Sequence, residues 1–425
     1  MARTVRRPHG SSRLGWRRRA IGAALMLAFA VGFASAADPE SSPMSSDPIF
    51  KAAMVDGKEY SGRIVSFAAD AITIASNDGV KEVLPLGRLV KLARQATPSA
   101  TAREDSQAVI LPEGDRLMRT AIGSATETSL EVRSESLGKL EIPLDSLLGL
   151  ILAATGQSGT FDARWDRILV EPRKTEVIWL INGDRLDGSF LGMDDRKIRL
   201  QVDQKPIEVE RSGVVSLGFD PGLVNYPRPK GIFLELSLND GTRLGVYGVK
   251  LEEGSIQATT RFGQPVRLAL GELTRVIVRS DSVLYLAESD FSRAHYVSYI
   301  GPTRAYRTDR AVDGRPFQLA GQMYDRGIGT HSRTFLVYRI QPGDRWFQAL
   351  VGVDERAGPL GSVVFRVLVD GEARFRSKVP RTSRDEPEVV NVDLSEGKTL
   401  ILDTDFGDRG NVRDFADWVE ARIIR

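Results

Sequence analysis

The chain has 425 residues, room for about three domains at roughly 150 residues each. Its 42% hydrophobic and 27% charged content is enough to bury cores, which excludes wholesale disorder. Cysteine is absent and the only histidines are His9, His295 and His331. Disulfides, zinc–thiolate sites, thiol nucleophiles and an HExxH motif are therefore excluded. Net charge is +2, but residues 1–36 hold seven arginines and no acid, leaving 51 basic against 56 acidic residues, or −5, in the rest. That balance disfavours a nucleic-acid-binding protein.

The first 36 residues read as a secretory signal. Arg17-Arg18-Arg19 precedes the apolar run Ala20 to Phe33, and Ala34-Ser35-Ala36 supplies the small residues a signal peptidase reads. The run has 14 residues, short of the about 20 that span a bilayer. The expectation is an exported protein, periplasmic, cell-surface or secreted, with retention as an uncleaved anchor the alternative. No other stretch is apolar enough to cross a membrane. Residues 37–48 are rich in Ser and Pro and read as a linker.

Four related β segments follow, two in residues 49–154 and two in 175–280. Each has an apolar strand, a Gly turn, a second strand, a short third strand and a closing apolar line. The turns are Asp56-Gly57, Gly114-Asp115, Asn182-Gly183-Asp184 and Asp240-Gly241. Glycine and asparagine tolerate the positive φ of tight hairpins. Gly62, Gly188 and Gly245 recur in the second strand, where the second copy has Arg119. Ile72/Ile74, Leu130/Val132 and Ile198/Leu200 alternate with period two, one face buried and one wet. The closing lines are VLPLGRLVKL, LEIPLDSLLGLIL, IEVERSGVVSLGF and VRLALGELTRVIV. Residues 155–174, with TGQSGTFDARWDR, read as a linker between two pairs of copies. About five short strands per copy suit a small, strongly bent barrel. This rhythm resembles that of Sm-like small β-barrels. Without a basic patch or stacking aromatics, the copies read as spacers or assembly surfaces, not RNA binders.

From Val283 onward Tyr- and Asp/Arg-rich loops separate the strands. Val363/Phe365/Val367/Val369 alternate with Val364/Arg366/Leu368, and Asp370-Gly371 and Glu396-Gly397 are hairpin turns. The expected fold is all-β, a C-terminal two-sheet sandwich or jelly roll preceded by repeated small β-barrel-like units.

Specific motifs fall in order here: YLAESDF, YDRGIGTHS, VGVDERAG, GSVVFRVLVDGE and DWVEARI. Read by residue type, His331 can exchange a hydrogen bond with a sugar hydroxyl, or be a core histidine tied to a carbonyl. Asp354-Glu355 can accept from vicinal hydroxyls, or form a solvated turn. Asp417-Trp418 opens the last strand, where Trp418 offers either a platform for a sugar face or a core ring. Of Trp346 and Phe347, neighbours on one strand, only one can point inward. Asp403, Asp405 and Asp408 form a D-x-D-x-x-D cluster whose oxygen-only donors suit calcium, though without EF-hand spacing.

Over residues 283–425 these motifs resemble the NPCBM/NEW2 domain, a family of carbohydrate-binding modules. The resemblance implies a galactose-binding-like β-sandwich, glycan binding, often a structural calcium, and no catalysis. The expected function is an exported, non-catalytic glycan binder with carbohydrate and envelope proteins as partners. The alternatives are an envelope scaffold that has lost the sugar site, and a glycoside hydrolase. The last needs two carboxylates flanking a cleft and lacks any segment that reads as a large catalytic domain.

Overall fold

The alternating segments fold into strands in a computed structural model that describes residues 48–95, 106–152, 160–297, 299, 301–378 and 381–425. The signal sequence, residues 37–47 and residues 155–159 lie outside the described residues.

The first copy comprises β1 (Ile49–Met54), β2 (Glu59–Phe67), β3 (Ala71–Ala75), β4 (Lys81–Pro85) and β5 (Leu89–Arg94). The second comprises β6 (Ala108–Ile110), β7 (Arg116–Met118), β8 (Thr120–Ala125), β9 (Ser129–Ser134), β10 (Gly138–Pro143) and β11 (Gly149–Ile151). An α-helix, α1 (Phe161–Val170), precedes the third, which is β12 (Glu176–Leu180), β13 (Arg185–Met193), β14 (Lys197–Val202), β15 (Lys205–Glu210) and β16 (Val214–Gly218). The fourth is β17 (Phe233–Leu238), β18 (Arg243–Glu252), β19 (Ser255–Thr260), β20 (Pro265–Ala269) and β21 (Leu273–Arg279).

In each copy the first strand pairs antiparallel with both the second and the last. A one-turn 3₁₀ segment such as Leu86–Arg88 redirects the chain into that last strand. Among the described pairings the fourth strand bonds only to the third, so each copy is a curled sheet and not a closed barrel. The recurring glycine marks a close crossing. A Cβ on Gly62 would lie 2.5 Å from the Ala75 carbonyl oxygen, and one on Gly188 2.7 Å from that of Gln201. At the same place Arg119 adopts φ 50°, and the long strand breaks into β7 and β8.

The copies pair differently from their order in the chain. β5 bonds to β21 and β11 to β16, so the first copy joins the fourth and the second joins the third. One hydrophobic core runs through all four, from Phe50 to Val278. Most of the expected linker 155–174 is not a linker. Thr160 caps α1 by accepting from the Ala163 N–H at 3.2 Å, and Phe161, Trp165 and Ile168 form a buried stripe against Ile151, Val177 and Trp179.

The C-terminal part adds β22 (Val283–Tyr285), β23 (Arg293–Tyr296), β24 (Arg307–Thr308), β25 (Phe317–Leu319), β26 (Gln322–Tyr324), β27 (Gly327–His331) and β28 (Thr334–Arg339). Then come β29 (Trp346–Val353), β30 (Val363–Val369), β31 (Glu372–Arg376), β32 (Glu388–Asp393), β33 (Thr399–Phe406) and β34 (Phe415–Ile424). One sheet runs β24-β27-β34-β29-β32, with β22 also on β34, and the other runs β23-β28-β33-β30-β31. Between them Leu336, Phe347, Phe365, Leu402, Trp418 and Ile423 form the core of a β-sandwich. Asp370 and Gly371 take φ 50° and 86°, the conformation a two-residue hairpin demands. Phe347 is buried and Trp346 is exposed, as their adjacency requires.

Buried charge joins the sandwich to the copies. Glu235 on β17 accepts from Arg326, which precedes β27, and lies 3.3 Å from Arg243 and 3.4 Å from Arg279. Glu288 accepts from Arg279 and Arg326, Asp325 meets Arg116 at 3.0 Å, and Lys91 meets Glu420 at 2.5 Å. Val90, Ile277, Val283, Tyr285 and Ile424 add an apolar patch. Burial opposes ionisation of Glu235 and Glu420, but their cationic neighbours prevail and hold each carboxyl at about 2.

Removing one member of such a buried cluster strands the others. Glu235→Gln should cost about 3–5 kcal/mol in urea unfolding. A carboxyl depressed from its usual 4.5 contributes stability above that pH and loses it as pH falls toward 2. The wild-type protein should therefore weaken steadily below pH 4.5, and the variant should show a shallower acid limb. Equal acid limbs would remove Glu235 from that role.

Candidate functional site

One end of the sandwich gathers three connections: residues 332–333 between β27 and β28, 407–414 between β33 and β34, and 297, 299 and 301–306 after β23. They border a narrow crevice of about 10 Å³ lined by Tyr296, Thr303, Arg304, His331, Ser332 and Asn411. The His331 ring makes a 2.9 Å bond from Nδ1 to the Ser332 carbonyl. A bond to a carbonyl places the proton on Nδ1 and leaves Nε2 as an acceptor. Burial depresses the His331 pKa and Arg304 adds to that, so the ring is neutral at physiological pH. Below it Asp414 accepts from Ser332 Oγ and from the Ser362 N–H at 2.9 Å, and burial pushes its carboxyl up to about 6.

Tyr299 extends an aromatic face beside this crevice. It is 63% exposed, its ring centroid is 5.5 Å from that of Phe406, and it lies against Gly410, next to Asn411. A glycine suits this place, with φ 64° and a position where a Cβ would approach the Tyr299 ring to 3.0 Å. Tyr299, Arg304 and Asn411 were not among the residues singled out from sequence. An aromatic or cation in an irregular loop carries no periodicity that marks it.

The other expected sugar contacts lie elsewhere. Asp354 is fully buried, with Oδ1 accepting from Arg356 Nε at 2.7 Å and Oδ2 from the Gln318 N–H at 3.1 Å. Glu355 accepts from the Gly321 N–H, bracing a neighbouring loop. Asp417 is fully buried beside Asp354 with neither oxygen receiving a hydrogen bond. Burial and the Asp354 charge hold its carboxyl well above the usual range. Trp418 is a core residue and not a sugar platform. It packs edge-on to Phe365 at 5.2 Å, and its Nε1–H donates to Thr404 Oγ1 at 3.0 Å. His331 thus reaches the crevice, while Asp354, Asp417 and Trp418 are buried in the sandwich.

The expected calcium cluster also falls apart. Asp403 and Asp405, two apart on β33, share the Arg366 guanidinium, and Asp405 also faces Arg333 at 3.3 Å. Asp408 lies in the loop beyond, its N–H donating to Ser362 Oγ. Guanidiniums take both oxygens of Asp405 and one of Asp403, and among the described residues no three His, Asp or Glu form a metal-holding group. Burial raises the Asp403 carboxyl to about 6.

Comparison with known proteins bears on this end of the chain. The NPCBM/NEW2 domain model matches residues 283–424. The C-terminal third is an NPCBM/NEW2 domain. A Renibacterium salmoninarum protein, named provisionally as an endo-alpha-N-acetylgalactosaminidase, is 28% identical over 112 residues. That match spans 26% of this chain and 7% of that protein. The structure of CBM51 from Clostridium perfringens GH95, in complex with methyl-galactose, is 28% identical, covering 33% of this chain and 99% of that one with a TM-score of 0.31. The structure of CBM51-2 in complex with GlcNAc and INT domains, from Clostridium perfringens ZmpB, is 26% identical, covering 42% and 40% with a TM-score of 0.31.

With Trp418 inside, its replacement should act on stability. Trp418→Phe should cost about 1–3 kcal/mol in urea unfolding through lost packing and the lost bond to Thr404. A neutral effect would put the ring outside the core.

Proposed function

We propose that the chain is an exported, non-catalytic protein that binds glycans through its NPCBM/NEW2 domain, with the sugar laid over the mouth of the crevice at His331. The observation that carries this reading is the conjunction there of an exposed ring, Tyr299, with an acceptor, His331 Nε2, and the donors of Arg304 and Asn411. A sugar presents a flat apolar face and a rim of hydroxyls, which needs one ring and a few polar contacts. The family match and the sugar-bound relatives support it.

The non-catalytic part rests on the carboxylates. Hydrolysis needs two of them facing a cleft. Asp354 and Asp417 adjoin in the interior, and Asp403 and Asp405 are held by Arg366. Export rests on the leader, and among the described residues no helix is long and apolar enough to cross a membrane.

For the calcium that the family implies, Asp417 is the residue that fits: its buried carboxyl has two undonated oxygens, which suit a hard cation, whereas Arg356 and backbone N–H groups already occupy those of Asp354. Calcium held there would favour the ionised form of Asp417; it would take no part at the crevice.

Two measurements test these readings. Tyr299→Ala and His331→Ala should each weaken galactose or N-acetylglucosamine binding about 5–10-fold by calorimetry, with unfolding unchanged. Unchanged affinity in both would remove the crevice as the site. Calcium should raise the melting temperature by several degrees over a chelated sample, and Asp417→Asn should abolish that increment. No difference in the wild-type protein would remove the ion.

A further inference from the structure

The crevice carries a charge that a neutral sugar does not use. Arg304 is exposed, its guanidinium carbon 5.7 Å from the Phe415 ring centroid, and among the described residues it has no acidic partner. Stacking on a ring fixes a guanidinium in place without neutralising it. On the 407–414 connection Arg409 donates to the Pro359 carbonyl and Arg413 to the Arg356 carbonyl, so neither is paired there with a carboxylate. Arg333 is shared with Asp405. Against these four cations stand Asp405 on β33 and Asp408 in the loop beyond, with Asp414 buried beneath Ser332. The residues lining the crevice include no carboxylate. This cationic end belongs to a chain that is net acidic beyond residue 36.

We propose that the ligand is an acidic glycan, one whose sugar bears a carboxylate, with that group paired to Arg304 while the ring lies on Tyr299. The proposal rests on the glycan-binding reading of the same crevice and narrows it to a substrate class. A carboxylate matches the planar fork of a guanidinium, and the pairing avoids the cost of covering an uncompensated cation with a neutral ligand. The Tyr299 face and His331 Nε2 make the site one for a sugar and not for a bare anion. Nothing in the arrangement needs the remainder of the glycan to be charged.

Galactose and galacturonic acid differ only in having a hydroxymethyl or a carboxylate at the same carbon, so the pair isolates the effect. The full chain, titrated with each near neutral pH, should bind galacturonate about fivefold or more tightly than galactose. The preference should shrink as salt rises from about 0.05 to 0.5 M, because the pair is exposed. Arg304→Gln should erase the preference, galacturonate losing more affinity than galactose until the two bind alike; Arg304→Lys should keep part of it. Equal affinity for the two sugars, or a variant that loses both alike, overturns the acidic preference and leaves glycan binding standing. Binding of neither sugar at about 20 mM overturns the glycan reading itself.

Discussion

Glu235 can be buried only because Arg326 arrives from another part of the chain. The carboxylate sits on the first strand of the fourth copy, with Arg243 and Arg279 from the same copy, and Arg326 from the edge of the sandwich closes the cluster. Isolated, each of these charges would face a desolvation cost of several kcal/mol. Together with Glu288 they compensate one another, and neither the copies nor the sandwich has the complete set. The covalent chain enforces the same closeness, since only residues 280–282 separate β21 from β22. Carbohydrate modules are often pictured as beads on a flexible tether. Here the bead shares a charged and apolar interface with its support, so the loop end is held in a fixed relation to the copies beneath.

The strands were legible because period-two alternation is written in side-chain types, and the turns because Asp-Gly and Asn-Gly demand a rare backbone conformation. Ile72/Ile74 and Ile198/Leu200 are buried as their spacing requires. What escaped was whatever depends on partners distant in sequence. The pairing of the first copy with the fourth is decided by which last strands meet, and all four closing lines look alike. The helix at Phe161 was hidden by its neighbours. A Gly/Ser-rich approach reads as linker, although Thr160 and the stripe Phe161, Trp165, Ile168 are an adequate cap and face. Arg119 shows the opposite lesson: the copy that lost its glycine kept the crossing by bending its backbone to a positive φ.

The polar residues of the family motifs were located correctly and given the wrong direction. Sequence shows that Asp417 is a carboxylate on a strand; it does not show that both faces of that strand are covered. One face of β34 meets the sandwich core through Trp418 and Ile423, and the other lies under the β25–β26 hairpin, where Val419 packs on Phe317 and Leu319. An aspartate at Asp417 must therefore be buried, whatever its motif suggests. A strand with one wet face would have left it available to a hydroxyl.

This division of labour explains why the crevice could not be read from the motifs. The motif residues serve the scaffold: Asp354 braces the loop at Gln318, Trp418 anchors the sheets, and Arg326 docks the sandwich. Of the motif residues weighed as sugar contacts, His331 alone reaches the crevice, because it is the last residue of β27 and its strand ends where the loops begin. The residues proposed to join it, Tyr299, Arg304 and Asn411, come from connections that no ladder constrains. A site assembled in that way can change its ligand by substitution in the loops while every motif stays in place. The charge at Arg304 is such a loop feature, and it lies outside the motifs by which the domain is recognised.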